Sequence, residues 1–213
     1  MARPREFDRD VVLDRAIEVF WTRGYDRTSI QDLVDSMGIQ RGSLYAAFGD
    51  KQQLFLEALD RYEERFYRKT LSVLSEDLPV RERIARIFRD VVLDCACDSG
   101  SRGCFITNTA VALAEGDEET ASRVRKNLRR MEDAFEGGLS KAGEISIRHE
   151  PRALARFLTN ALQGLRVLSR CCVDVAILED VVNVTLSVLD EPVAASMTAR
   201  QNANDIKNKE TAK

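Results

Sequence analysis

Apolar residues along this chain are separated by three or four positions almost everywhere, and an alternation of period two never lasts for a strand's length. The pattern predicts an all-α protein of about nine helices. The first spans 8–24, opened by the good N-cap Asp8 and stopped at Gly24, with Val12, Leu13, Ala16, Ile17 and Phe20 as its apolar stripe. A second starts near Thr28 and Ser29, turns Ile30, Leu33, Val34 and Met37 inward, and ends at Gly38. A very short third runs from about 40 to 48. The fourth starts at the cap Asp50 and continues through Leu54, Phe55, Ala58, Leu59, Tyr62 and Phe66 to about 75. Pro79 opens a fifth, to about 97; 98–101 is a loop; a sixth covers about 103–115. The seventh, about 118–142, carries Val124, Leu128, Met131 and Phe135. Pro151 opens the eighth, to about 172, and the ninth spans about 175–189. The only prolines are Pro4, Pro79, Pro151 and Pro192, and none interrupts a helix. After Pro192 large apolar residues almost vanish, which predicts a disordered tail over 192–213. The domains expected are a head at 1–50 and a larger helical body at 51–191.

The stretch 28–51, TSIQDLVDSMGIQRGSLYAAFGDK, carries the chemistry. Two short helices meet at Met37, Gly38 and Ile39. Gly38 can take the left-handed conformation that redirects the chain, and Ile39 plugs the corner. This predicts a helix-turn-helix, whose second helix enters the DNA major groove with its first residues on base edges. Gln40 and Arg41 stand there with the donor patterns that read adenine and guanine. Gly42 and Ser43 permit close approach, and the Tyr45 hydroxyl and Lys51 reach towards phosphates. Thr28 and Ser29 mark a helix N-terminus, where hydroxyls, amides and dipole favour a phosphate. Arg3 and Arg5 precede the first helix on an arm suited to a neighbouring groove. An ordinary helical corner in a bundle is the bland alternative.

The same residues resemble the DNA-binding domain of the tetracycline-repressor family. The resemblance rests on Gly24-Tyr25, the Thr28-Ser29-Ile30 run, the Met37-Gly38-Ile39 corner, and Ser43 through Lys51 followed by Leu54-Phe55. It covers about the first 60 residues. Farther on, Gly103-Cys104 opening a helix that contains Asn108, and Gln163-Gly164, are similar to one branch of the family. The resemblance implies a nine-helix homodimer, paired through its last two helices, with a ligand pocket built from helices four to eight. It also implies a repressor released from a palindromic operator by a small molecule.

Composition agrees with a globular chain: 44% hydrophobic, 31% charged, net charge −3. No apolar run reaches the roughly 20 residues of a membrane span, and no signal-peptide pattern opens the chain, so a cytoplasmic protein is expected. Residues 1–51 hold eight Lys/Arg against nine Asp/Glu, a net of −1, which weighs against strong non-specific DNA binding. The basic run Arg123, Arg125, Lys126, Arg129 and Arg130 reads as a solvated helix face flanked by acids rather than a second DNA site. Five dispersed cysteines and one histidine, His149, offer neither a disulfide framework nor a recognised zinc spacing, so no metal or cofactor is expected. Phosphate-loop, dinucleotide, HExxH and GxSxG motifs are all lacking, so no enzyme is expected. The rival class is a helical protein-interaction module without DNA binding.

Pocket candidates are Phe88, Cys104, Phe105, Thr107, Asn108 and Val111, a mostly apolar set with a few polar groups. Dimer candidates are Leu154, Phe157, Leu158, Ala161, Gly164, Leu165 and Leu168 on the eighth helix, with Ile177, Val181, Val184 and Val188 on the ninth. Cys104, beside Arg102 at a helix start, also reads as a thiol sensor with Cys95 or Cys97 as resolving partner. A small buried apolar residue is the bland reading of the same cysteine.

Overall fold

A computed structural model of the chain describes residues 7–96, 102–112, 117–140, 149–171 and 174–189. Among the described residues the helices are α1 (Arg9–Arg23), α2 (Ile30–Met37), α3 (Arg41–Phe48), α4 (Lys51–Leu74), α5 (Val80–Ala96), α6 (Phe105–Val111), α7 (Glu118–Ser140), α8 (Pro151–Arg170) and α9 (Val175–Ser187). Each start has a local cause. The Asp8 carboxylate accepts the Asp10 and Val11 amides, Asp50 accepts the Gln53 amide, and Pro151 supplies the fixed φ of a first helical residue. Arg3, Arg5, Cys97, the 98–101 loop and the tail over 192–213 lie outside the described residues.

The sixth helix is shorter than its apolar pattern predicts. Gly103 takes a φ of 66° and Cys104 an extended backbone, so the helix starts at Phe105. A Cβ at Gly103 would stand 3.3 Å from the Arg166 carbonyl, the Arg170 Cβ and the Asn108 Oδ1. Only glycine satisfies both the conformation and the space.

Two cores form. The head core joins α1, α2 and α3 to the first half of α4, with Phe20, Leu33, Leu44, Leu54 and Leu59 fully enclosed. Each such side chain contributes roughly 1.5–3 kcal/mol by leaving water. Cys104, Phe105, Ile106 and Val124 also belong to this core, so α6 and α7 reach up into the head. The body core gathers the end of α4 with α5, α7, α8 and α9. The division between cores therefore falls inside α4 rather than at its start. Ion pairs brace the same helix on two sides: Arg61 and Arg65 hold Asp14 of α1, while Arg123 holds Asp60 and Arg130 holds Glu63 and Glu64 across the α4–α7 seam.

The body core corrects part of the predicted dimer face. Leu154, Leu158 and Leu165 are 2% exposed or less and are spent inside their own protomer. They lie on the α8 face that meets α7 and α5, whereas Phe157 and Gly164 face outward and Ala161 and Leu168 are half-buried against the edge of the core. On α9, Leu178, Val182 and Leu186 face inward; Ile177, Val181, Val184 and Val188 run along the outer or half-covered edge. Phe157, Ile177 and Val184 are 42%, 49% and 68% exposed, a large apolar outlay for a solvent face.

Candidate DNA-binding and effector sites

Helix α3 owes its position to the corner before it. Gly38 adopts φ 68° and ψ 31°, and its amide donates to the Val34 carbonyl. Arg15 reaches from α1 to donate to the Met37 carbonyl at 3.1 Å, closing the end of α2. Leu44 and Phe48 then anchor α3 from beneath. What remains outward is Gln40, Arg41, Gly42 and Tyr45, with Ser43 half-buried at the edge. Gln40 occupies the N-cap without using its side chain there, so the amide group stays available. The Arg41 guanidinium lies 5.9 Å from the Tyr45 ring centroid, and no atom stands within 4 Å of a Cβ at Gly42. The result is a smooth helix face with hydrogen-bonding groups at its leading end, as major-groove reading requires.

The N-terminus of α2 departs from expectation. Thr28 is 1% exposed and its hydroxyl donates to the Gly24 carbonyl at 2.6 Å, so it joins the head's interior and not a phosphate site. Ser29 and Asp32 form a capping box: the Ser29 hydroxyl accepts the Asp32 amide and the Asp32 carboxylate accepts the Ser29 amide. That carboxylate, bonded by Ser29 and Arg23, is held down to about 2, so a negative charge already occupies the helix end. Lys51 is half-buried with its ammonium 4.2 Å over the Tyr25 ring, and burial lowers its pKa.

Phe105 and Asn108 line a crevice of ≈ 200 Å³ between the end of α1, α4 and α6. The other pocket candidates do not share a cavity with them. Phe88 is sealed in the body core, and Val111 is 81% exposed on the outer side of α6. Both depart from the expected pocket because α6 presents its Phe105 face, and not its Val111 face, to the head. Thr107 donates to Gln163 at 2.6 Å, and Asn108 ties the Arg102 carbonyl to the Arg170 guanidinium. The Thr107–Gln163 and Asn108–Arg170 contacts unite stretches of sequence 56 and 62 residues apart.

Cys104 is 2% exposed, and the Arg166 guanidinium donates to its sulfur at 3.3 Å. Burial pushes the thiol up, but Arg166, with hydrogen bonds from Thr107 and Tyr62, outweighs it and leaves the pKa lowered. Arg102 does not serve this sulfur. It crosses to α1, where it pairs with Glu18 and stacks 4.2 Å over Trp21. The pattern of apolar spacing gave no hint of Arg166, because its partner lies 62 residues away. Among the described residues no group of three or more His, Cys, Asp or Glu stands where it could hold a metal, and no helix is long and apolar enough to cross a membrane.

A corner closed by a left-handed glycine, an anchored short helix and an outward reading face define a helix-turn-helix protein. The model of bacterial regulatory proteins of the tetR family matches residues 12–58. The chain is 38% identical over 194 residues to the uncharacterized HTH-type transcriptional regulator YezE of Bacillus subtilis (strain 168), covering 89% of this chain and all of that one. It is 32% identical over 172 residues to the HTH-type transcriptional repressor ComR of Escherichia coli (strain K12), covering 79% of this chain and 82% of that one. Among solved structures, a cysteine mutant of the TetR family regulator CifR complexed with 26-base-pair operator DNA superposes with a TM-score of 0.78. That match is 33% identical and covers 87% of this chain and 98% of CifR. The chain belongs to the tetR family and is a DNA-binding transcriptional regulator.

Proposed function

We propose that this regulator is a cytoplasmic repressor that binds a palindromic operator as a homodimer and leaves it when a small molecule binds. The outward face of α3, with Gln40, Arg41, Gly42 and Tyr45 free of the head's own interactions, is the observation that carries the reading. Repression is supported by relatives bearing that name, ComR and BdcR of Escherichia coli (strain K12). Dimerisation is supported by the apolar stripe of Phe157, Ile177 and Val184. The test is a titration of the full chain against duplexes spanning its own promoter and against random duplex DNA. Saturable, sequence-selective binding at physiological salt is expected. Equal weak binding to every duplex overturns the reading in favour of a protein-interaction module.

The Arg166 contact favours a second mode of release. When a peroxide reaches Cys104, the sulfur attacks one oxygen, the O–O bond breaks, the leaving hydroxide takes the thiol proton to become water, and a sulfenic acid remains on the sulfur. Oxidation thus alters the partner that Arg166 holds. A mild peroxide is then expected to release the operator from the parent chain and not from Cys104→Ser. Release from both sinks the thiol mode and leaves the small-molecule mode standing.

A further inference from the structure

The crevice at α6 is not the only hollow at the junction of head and body. A cavity of ≈ 250 Å³ opens between α1, α4 and α5, lined by Ile17 and Trp21 of α1, Tyr62, Phe66 and Val73 of α4, and Ile87 and Val91 of α5. None of these residues was selected by the sequence as pocket-forming. The wall is aromatic and branched-aliphatic, the chemistry of a small-molecule site.

Its charged rim is nearly self-neutralised. Glu18 is taken by Arg102, Asp90 by Lys69 at 2.9 Å, and Arg65 by Asp14. Asp94 lines the cavity and has no ion pair among the described residues. One further polar group is left over: the Trp21 indole N–H is buried and has no hydrogen-bond partner. A complementary ligand thus has an aryl or branched apolar body, an oxygen acceptor for the indole N–H, and a cationic end for Asp94. An anion would meet Asp94 with no compensation.

We propose that this cavity binds an amphipathic primary amine and that its occupancy is how the effector acts on the head. The second part rests on the reading of the chain as a ligand-released repressor. The mechanical reason is that the cavity has walls from both units. A ligand wedged between α1 and α4–α5 fixes the tilt of α1, and α1 carries Arg15, which closes the corner that aims α3.

Trp21 is the only tryptophan of the chain and lines both this cavity and the α6 crevice, so its fluorescence reports either hollow, and Asp94, which lines this cavity and not the crevice, tells the two apart. The full chain is titrated with phenoxybutylamine, with phenoxybutanol and with phenoxybutanoate, exciting where tryptophan alone absorbs. A saturable change is expected with the amine, about tenfold tighter than with the alcohol, and none with the carboxylate; tenfold corresponds to about 1.4 kcal/mol. Asp94→Asn, an exposed position, is expected to equalise amine and alcohol. No saturable signal, equal binding of all three probes, or an undiminished amine preference in Asp94→Asn overturns the site. Selective binding that leaves operator affinity unchanged overturns the effector role. Failure of the unliganded parent to bind operator instead overturns the repressor reading, and the fluorescence titration still decides the site.

Discussion

Arg41 is the residue on which the proposed base reading turns. It stands exposed in the first turn of α3 with only the Tyr45 ring for company, so its donors are free for a guanine edge. Arg41→Ala is expected to cost about 1–3 kcal/mol at the cognate operator and to relax base preference, read by titration against operator variants. Lys51 is different, because its ammonium already rests on Tyr25. Lys51→Ala should weaken all duplexes alike and reduce the salt slope by about one, which a salt series measures. Glu63 makes a third case. Burial raises its carboxyl to about 7 against 4.5 in the unfolded chain, although Arg130 and Lys126 pull it down; Glu64 and Asp60 push it further up. The native state therefore binds more protons between those values, and this group's stabilisation is lost as pH rises from about 4.5 through 7. Arg130 keeps Glu64 at 2.9 Å without it. Glu63→Gln should flatten the pH dependence of thermal unfolding over that window, and parallel curves for parent and variant would refute the assignment. The outward placement of Gln40 and Arg41 was legible in the sequence because they sit beside a local corner signal. Arg166, Glu63 and the Asp94–Trp21 pair were not, since each gains its meaning from a neighbour on another helix.

At the level of elements the apolar period was enough to place all the helices among the described residues, mostly within a residue or two. The exception, α6, shows what periodicity omits. Its apolar pattern extends back to 103, but the backbone demanded at Gly103 delays the start of the helix to Phe105. The same pattern could not tell which apolar face of α8 goes inward, so Leu154, Leu158 and Leu165 looked equivalent to Phe157 and Leu168. The turn before α6 is a clasp: Arg102 grips α1, Asn108 holds Arg102, and Arg170 of α8 holds Asn108. Gly103→Ala meets both the positive φ and three atoms at 3.3 Å. It is expected to lower stability by about 1–3 kcal/mol in urea unfolding. Wild-type stability in that variant would show that the turn relaxes freely and clasps nothing.

For the whole molecule, α8 and α9 leave Phe157, Ile177 and Val184 exposed along their outward sides. Val184→Lys places a charge at the most exposed member of that stripe, without touching either core. Sedimentation is expected to show a dimer for the parent at micromolar concentration and a monomer for the variant. Operator affinity should fall with it, because two-fold symmetry lets both heads engage half-sites about one helical turn or more apart. A dimeric variant would mean that the protomers meet elsewhere.

The capping box at α2 has a consequence for how this molecule lives among the rest of the genome. With Asp32 seated at the helix end and Thr28 folded away, that end offers little to a passing phosphate. Few counterions are displaced at that helix end when the head touches DNA, so the end adds little to sequence-independent binding. On the proposed reading, occupancy of the operator then leans on base contacts and pairing more than on phosphates at that end. For a repressor of the kind proposed, a change of salt in the cell would then disturb this end of the contact little, leaving release to the effector.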